Sequence, residues 1–333
     1  MSEKNSNLKK IIGSSNNLFF TPVIIVTLGF NVIYGFISMV GKVLTPLGID
    51  GKALTKKCFE ILNNPMIGMI LSQALIILPT LIYIINRKKH IKKIIRFNKM
   101  NVVTLIALTF FTYAMLPVMS FINMVSMMFV KNKISSTVTE IVGKESLLFG
   151  IIVVAVLPAF VEETLFRGVL YNTHRKVSIK KAIILNGLLF GLLHGNFNQF
   201  AYAFFMGIVF SLVVEATDTV ISTIWCHFLI NGNSILSAFL SKNVKNVEIA
   251  DSNVITINTL IPWACMALFA LSIAILILIF IAKYNNRYDY LKKHLSFSKK
   301  NKKGKNVSLL SPGLICAMLM SIVYMICIEF MTT

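Results

Sequence analysis

Long apolar runs alternate with short polar, mostly basic stretches along this 333-residue chain. Nine such runs predict membrane-spanning helices over 18–40, 65–86, 102–130, 147–172, 181–194, 199–215, 219–240, 254–282 and 308–331, most long enough to cross a hydrocarbon layer. The fold class this predicts is all-α, a polytopic transmembrane helical bundle of about eight or nine spans. A transmembrane β-barrel would show short alternating segments instead, which the chain lacks. No internal repeat is visible. The runs divide into an N-terminal three-span scaffold (1–145), a middle section (146–241) and a C-terminal pair of spans joined by a basic loop (242–333).

Composition agrees with a membrane protein, since 56% of residues are hydrophobic and only 14% charged. The formal net charge of +20 raises the question of nucleic acid. The Lys and Arg lie in tracts between apolar runs, not interleaved with aromatics on one face, so anionic lipid headgroups are the expected partner and nucleic acid is not. With the N-terminus inside, 23 of the 33 basic residues fall in inner segments, which predicts a cytoplasmic N-terminus. The five cysteines, Cys58, Cys226, Cys265, Cys316 and Cys327, show no CxxC spacing and read as buried small hydrophobes. No removable signal peptide is expected at the polar start.

Against this background, side chains able to do acid–base chemistry inside the runs stand out. An ionisable group at mid-membrane costs on the order of 3 kcal/mol, so each needs a reason. The stretch LPAFVEETLFR (157–167) carries Glu162, Glu163 and Arg167. Arg167 follows Glu163 by one helical turn, which pairs those two and leaves Glu162 about 100° away, free to act as a base. His194 ends the next run, and His227 and Asn231 share a helix face in the seventh, offering an imidazole N–H and an amide NH₂ to a developing oxyanion. At about 1.5 Å per helical residue the four lie roughly 12–20 Å from the inner ends of their helices. They are therefore expected to meet in one polar cavity opened from the cytoplasmic side. The remaining histidines, His90, His174 and His294, read as solvated loop residues. Pro158 leaves the carbonyl of residue 154 without its helical partner, which predicts a bend beside Glu162. The turn Gly195–Gln199 is expected below the outer interface, where it would line a wet cavity.

The motifs E-E-x-x-x-R (Glu162, Glu163, Arg167), F-x-x-x-H (Phe190, His194) and H-x-x-x-N (His227, Asn231), in this order on successive helices, resemble those of the CAAX-processing and bacteriocin-processing (CPBP, or Abi) family of intramembrane endopeptidases, which includes CAAX prenyl protease type 2. The resemblance covers roughly 147–240. One local departure is Asp218, where the family more often has a glycine turn.

The resemblance implies a peptidase in which Glu162 and His194 activate a water, His227 and Asn231 stabilise the oxyanion, and Glu163 with Arg167 supports the helix, with no metal or other cofactor. A close variant would use zinc on Glu162, His194 and His227, a His₂Glu set with an open position. A different class of reading is a non-enzymatic membrane immunity or transport protein using the cluster for binding or proton relay. The expected substrate is a peptide or a membrane-anchored protein. The Ile-, Asn- and Lys-rich composition suggests a low-GC bacterium, with a place in the cell membrane and a role in peptide maturation or bacteriocin immunity.

Overall fold

The computed structural model describes residues 2–24, 30–87, 95–130, 134–144, 146–243, 257–296 and 307–330. Among these the chain is helical throughout, with no strand. The helices are α1 (Ser2–Ile24), α2 (Phe30–Leu44), α3 (Gly51–Leu62), α4 (Pro65–Asn86), α5 (Val102–Met127), α6 (Ile134–Lys144), α7 (Leu147–His174), α8 (Ile179–Leu193), α9 (Phe197–Thr217), α10 (Ile221–Asn243), α11 (Ile257–Tyr284), α12 (Tyr288–Leu295) and α13 (Pro312–Phe330).

Six of them, α4, α5, α7, α9, α11 and α13, are long and apolar enough to cross a membrane. This is a multi-pass membrane protein with fewer full-length apolar spans than the nine expected. The run 18–40 is divided between α1 and α2, and residues 25–29 within it lie outside the described residues. Helix α8 has only 15 residues. Helix α10 has 23, but His227, Asn231 and Asn233 dilute its apolar content. The outer surface of α11 fits a lipid-facing role, with Leu268, Phe269 and Leu276 each at least 65% exposed.

The three sequence sections share their interior. One buried cluster runs from Leu8 and Phe19 through Ile76, Val161 and Leu189 to Leu314 and Met325, so α1, α4 and α13 clasp the middle section. A second joins Phe111 of α5, Phe210 of α9, Cys226 of α10 and Ala274 of α11. Cys226 is the one fully buried thiol among the cysteines. Cys58 is half-buried, and Cys265, Cys316 and Cys327 are exposed on the bundle exterior, contrary to the expectation that all are interior. All five are free thiols.

Four connections meet at one end of the bundle around Glu215, which has no exposed surface. Its carboxylate accepts from Arg96 at 3.1 Å, from Arg175 at 2.5 and 2.8 Å, and from Arg287 at 3.3 Å. Asp218 pairs with Arg96 and accepts from Asn98. Asp218 occupies a left-handed conformation, φ 58°, which explains why a glycine suits this turn and why Asp, tolerant of that region, can replace it. These contacts bring together, on one side, the connections before α5, after α7, after α9 and after α11. The first, second and fourth of these are among the basic inner segments read from the sequence. The tracts 88–94 and 297–306, with much of that charge, lie outside the described residues.

His174 is not a solvated loop residue. It is fully buried, with Nε2 2.8 Å from Asn16 Oδ1 and Nδ1 3.0 Å from Asn186 Nδ2, and so ties α1 to α7 and α8. His294 lies half-buried against Tyr290, with its Nδ1 2.9 Å from the Tyr290 carbonyl. His90 is outside the described residues.

Candidate active site

Helix α7 carries the two glutamates and is irregular on both sides of them. Wide π-type turns over Ile151–Val156 and Thr164–Tyr171 flank an ordinary helical segment, Leu157–Glu163. The expected loosening at Pro158 is thus present. Its consequence is specific: the Val154 carbonyl, which proline leaves without an i+4 donor, accepts from Asn231 Nδ2 at 3.0 Å. One amide hydrogen of Asn231 is therefore already committed to α7, and the other remains.

Arg167 has no exposed surface, and its Nη1 donates to Glu163 Oε1 at 2.9 Å. Phe190, Phe210 and Phe166 surround the guanidinium, with ring centres 4.3, 5.0 and 5.8 Å from Cζ. Its Nη2 also donates to the Gly207 carbonyl at 3.4 Å. That approach is possible because α8 and α9 pack closely through Gly187 and Gly207, where an added Cβ would lie 2.6–2.8 Å from the opposite helix.

Glu163 does more than pair with Arg167. The same Oε1 lies 3.0 Å from His227 Nδ1. A carboxylate can only accept, so Nδ1 carries the proton and Nε2 is the ring nitrogen left over. This changes the expected pair of neutral donors. His227 donates from Nε2 only when the ring holds both protons, and when neutral it presents a lone pair there.

His194 sits at the C-terminal end of α8, its Nδ1 2.8 Å from the Phe190 carbonyl. A carbonyl also only accepts, so neutral His194 has its lone pair on Nε2 and can take a proton there. Gly195 then turns the chain with φ 66°, and the Asn196 side chain caps α9 by accepting from the Gln199 N–H at 2.8 Å.

Glu162, His194, His227 and Asn231 all line one cavity of about 380 Å³. Glu163 and Arg167 lie behind it. Phe190, Phe210 and Met206 form apolar walls, and Gln73, Asn196, Gln199, Tyr202 and Ser234 supply further polar groups. The cavity does not open beside the basic connections, as the sequence suggested. Its lining reaches the surface at exposed Ser234 and half-buried Asn196 and Gln199, at the opposite end of the bundle from Glu215. The reason is the shortness of α8, which carries His194 to its far end, where the Gly195–Gln199 turn lines the cavity as anticipated.

The sequence reading missed Gln73. This residue of the N-terminal scaffold is 6% exposed and donates from Nε2 to Glu162 Oε1 at 3.0 Å. The signal available was a lone amide in the middle of an apolar span. Glu215 also went unremarked, because it falls at the edge of its run. Among the described residues no three His, Cys, Asp or Glu side chains are grouped closely enough to hold a metal ion.

What fold and cavity define is a helical membrane protein with a carboxylate–imidazole site inside its bundle. Residues 144–232 match the family model described as Rce1-like, type II CAAX prenyl endopeptidase. That segment, about a quarter of the chain, is similar to the CAAX proteases, which are endopeptidase hydrolases. A search of curated proteins and one of solved structures gave no match to it.

Proposed function

We propose that this protein hydrolyses a peptide bond of a membrane-associated peptide or protein with a water activated by Glu162 and His194. The observation that carries this reading is the convergence of Glu162, His194, His227 and Asn231 on one cavity that reaches the surface. Glu162 Oε2 and His194 Nε2 are the proton acceptors of the site. As water attacks the carbonyl carbon, one of them takes its proton, and the proton passes to the leaving nitrogen when the C–N bond breaks.

Protonated His227, through Nε2, and the second amide hydrogen of Asn231 stabilise the oxyanion. Each such donor is worth about 10²–10³ in rate. Glu163 and Arg167 hold His227 in place, and the chemistry calls for no metal. The excess of basic residues on the Glu215 side argues for a cytoplasmic N-terminus in the cell membrane, with the cavity mouth toward the outer face. A secreted or membrane-anchored bacterial peptide, such as a bacteriocin leader, fits that placement.

The test compares membrane peptides that accumulate in cells carrying the wild type, Glu162→Ala or His194→Ala, followed by cleavage of the accumulating peptide by purified protein with and without chelator. The expected result is loss of cleavage in both variants and full activity in chelator. If the variants keep the biological effect, the non-enzymatic reading replaces this one. Activity lost to chelator and restored by zinc would replace the metal-free mechanism.

A further inference from the structure

Glu162 and Gln73 present an arrangement that the matched segment does not contain, since Gln73 lies on α4, well outside residues 144–232. The atom of Gln73 facing the carboxylate must be the NH₂ group, because Glu162 Oε1 can only accept. That assignment turns the amide oxygen the other way. Gln73 Oε1 and Glu162 Oε2 are both buried, and neither has a hydrogen-bond partner among the described residues. Both residues line the cavity. Two unpaired acceptors in a buried site call for a ligand that donates twice, because a buried polar group left unmet is destabilising. Water is the smallest such ligand.

We propose that Gln73 completes the site for the attacking water: its NH₂ fixes the Glu162 carboxylate, and its carbonyl oxygen accepts the water's second hydrogen. One O–H then points to Glu162 Oε2 and the other to Gln73 Oε1, leaving a lone pair on the water oxygen for the substrate carbonyl carbon. The new C–O bond forms as the carbonyl π pair moves to its oxygen. Glu162 takes the first proton and passes it to the leaving nitrogen, while the second stays on the tetrahedral carbon's new hydroxyl until His194 Nε2 accepts it as the C–N bond breaks. This assignment rests on the hydrolytic reading above for its catalytic part. The contact between Gln73 and Glu162 does not.

Two measurements separate those parts. The first uses purified full-length protein and a quenched-fluorescence peptide with a prenylated Cys-aliphatic-aliphatic-X end, or the peptide that accumulates in the Glu162→Ala strain. Gln73→Leu, close in size, is expected to lower kcat about 10- to 100-fold with KM within about twofold, as befits lost alignment of a base and its water. Gln73→Asn, which keeps the amide on a shorter stem, is expected to fall between them, and Ser72→Ala to match the wild type. The second needs no turnover. The infrared difference between wild type and Glu162→Gln isolates the Glu162 carboxylate stretch, and Gln73→Leu is expected to shift that band while Ser72→Ala does not.

An unshifted band, or a Gln73→Leu variant with wild-type kcat, overturns the proposal. A shifted band in a protein that cleaves neither peptide retains the Gln73–Glu162 contact and refutes the catalytic part along with the hydrolytic reading.

Discussion

Glu163→Gln is the sharpest probe of how this bundle tolerates its charges. Both members of the Glu163–Arg167 pair have no exposed surface, so the substitution leaves a buried guanidinium without its paired carboxylate, facing only neutral acceptors and three aromatic rings. Removing one partner of a buried pair is worth about 3–5 kcal/mol of stability, or roughly two to three and a half decades in the unfolding equilibrium. Arg167→Met should lose a comparable amount, because Glu163 is then left with His227 alone. The double variant Glu163→Gln, Arg167→Met removes both charges and should return to within about 1 kcal/mol of the wild type.

Unfolding in mixed micelles with rising SDS can be followed through tryptophan fluorescence. Trp225 is a suitable reporter, since its Nε1 bonds Thr109 Oγ1 at 3.0 Å and so ties α10 to α5. A Glu163→Gln variant that unfolds with the wild type, or a double variant whose loss is the sum of the two singles, would refute the claim that this pair acts as a buried unit.

Other outcomes follow from the geometry. Pro158→Ala restores an N–H for the Val154 carbonyl and should release Asn231, lowering kcat by up to about 10²-fold with stability equal to or above the wild type; a fall in stability without change in kcat would contradict this. Glu215→Gln leaves Arg96, Arg175 and Arg287 without their shared counter-charge and should lose about 3 kcal/mol or more in the same unfolding assay, with KM for cleavage little altered in the folded fraction. Gly195→Ala forces a Cβ into left-handed backbone and against Tyr324 at 3.1 Å, so it should destabilise by about 1–2 kcal/mol and reduce turnover by displacing His194.

The helical, multi-pass character was legible because apolar runs of spanning length are hard to produce otherwise. The Glu163–Arg167 pair was legible from helical spacing alone. The direction in which the cavity opens was not. Depths counted along separate helices say nothing about which end of the bundle is plugged, and the plug is built from Arg96, Arg175 and Arg287, from three different connections, around Glu215 in the last turn of α9. Gln73 was hidden for a similar reason: an uncharged amide in an apolar span gives little signal until its partner is known. The proton arrangement of His227 depends on its contact with Glu163, 64 positions away, which no local pattern encodes.

Because one carboxylate at the end of α9 staples three connections to that helix, the helices are hinged at that end and cannot part there without abandoning Glu215. Any widening needed to thread an extended polypeptide must come from splaying the opposite rim, near Asn196, Gln199 and Ser234. The protein is built like a clothes-peg, fixed at its spring and free only at its jaws.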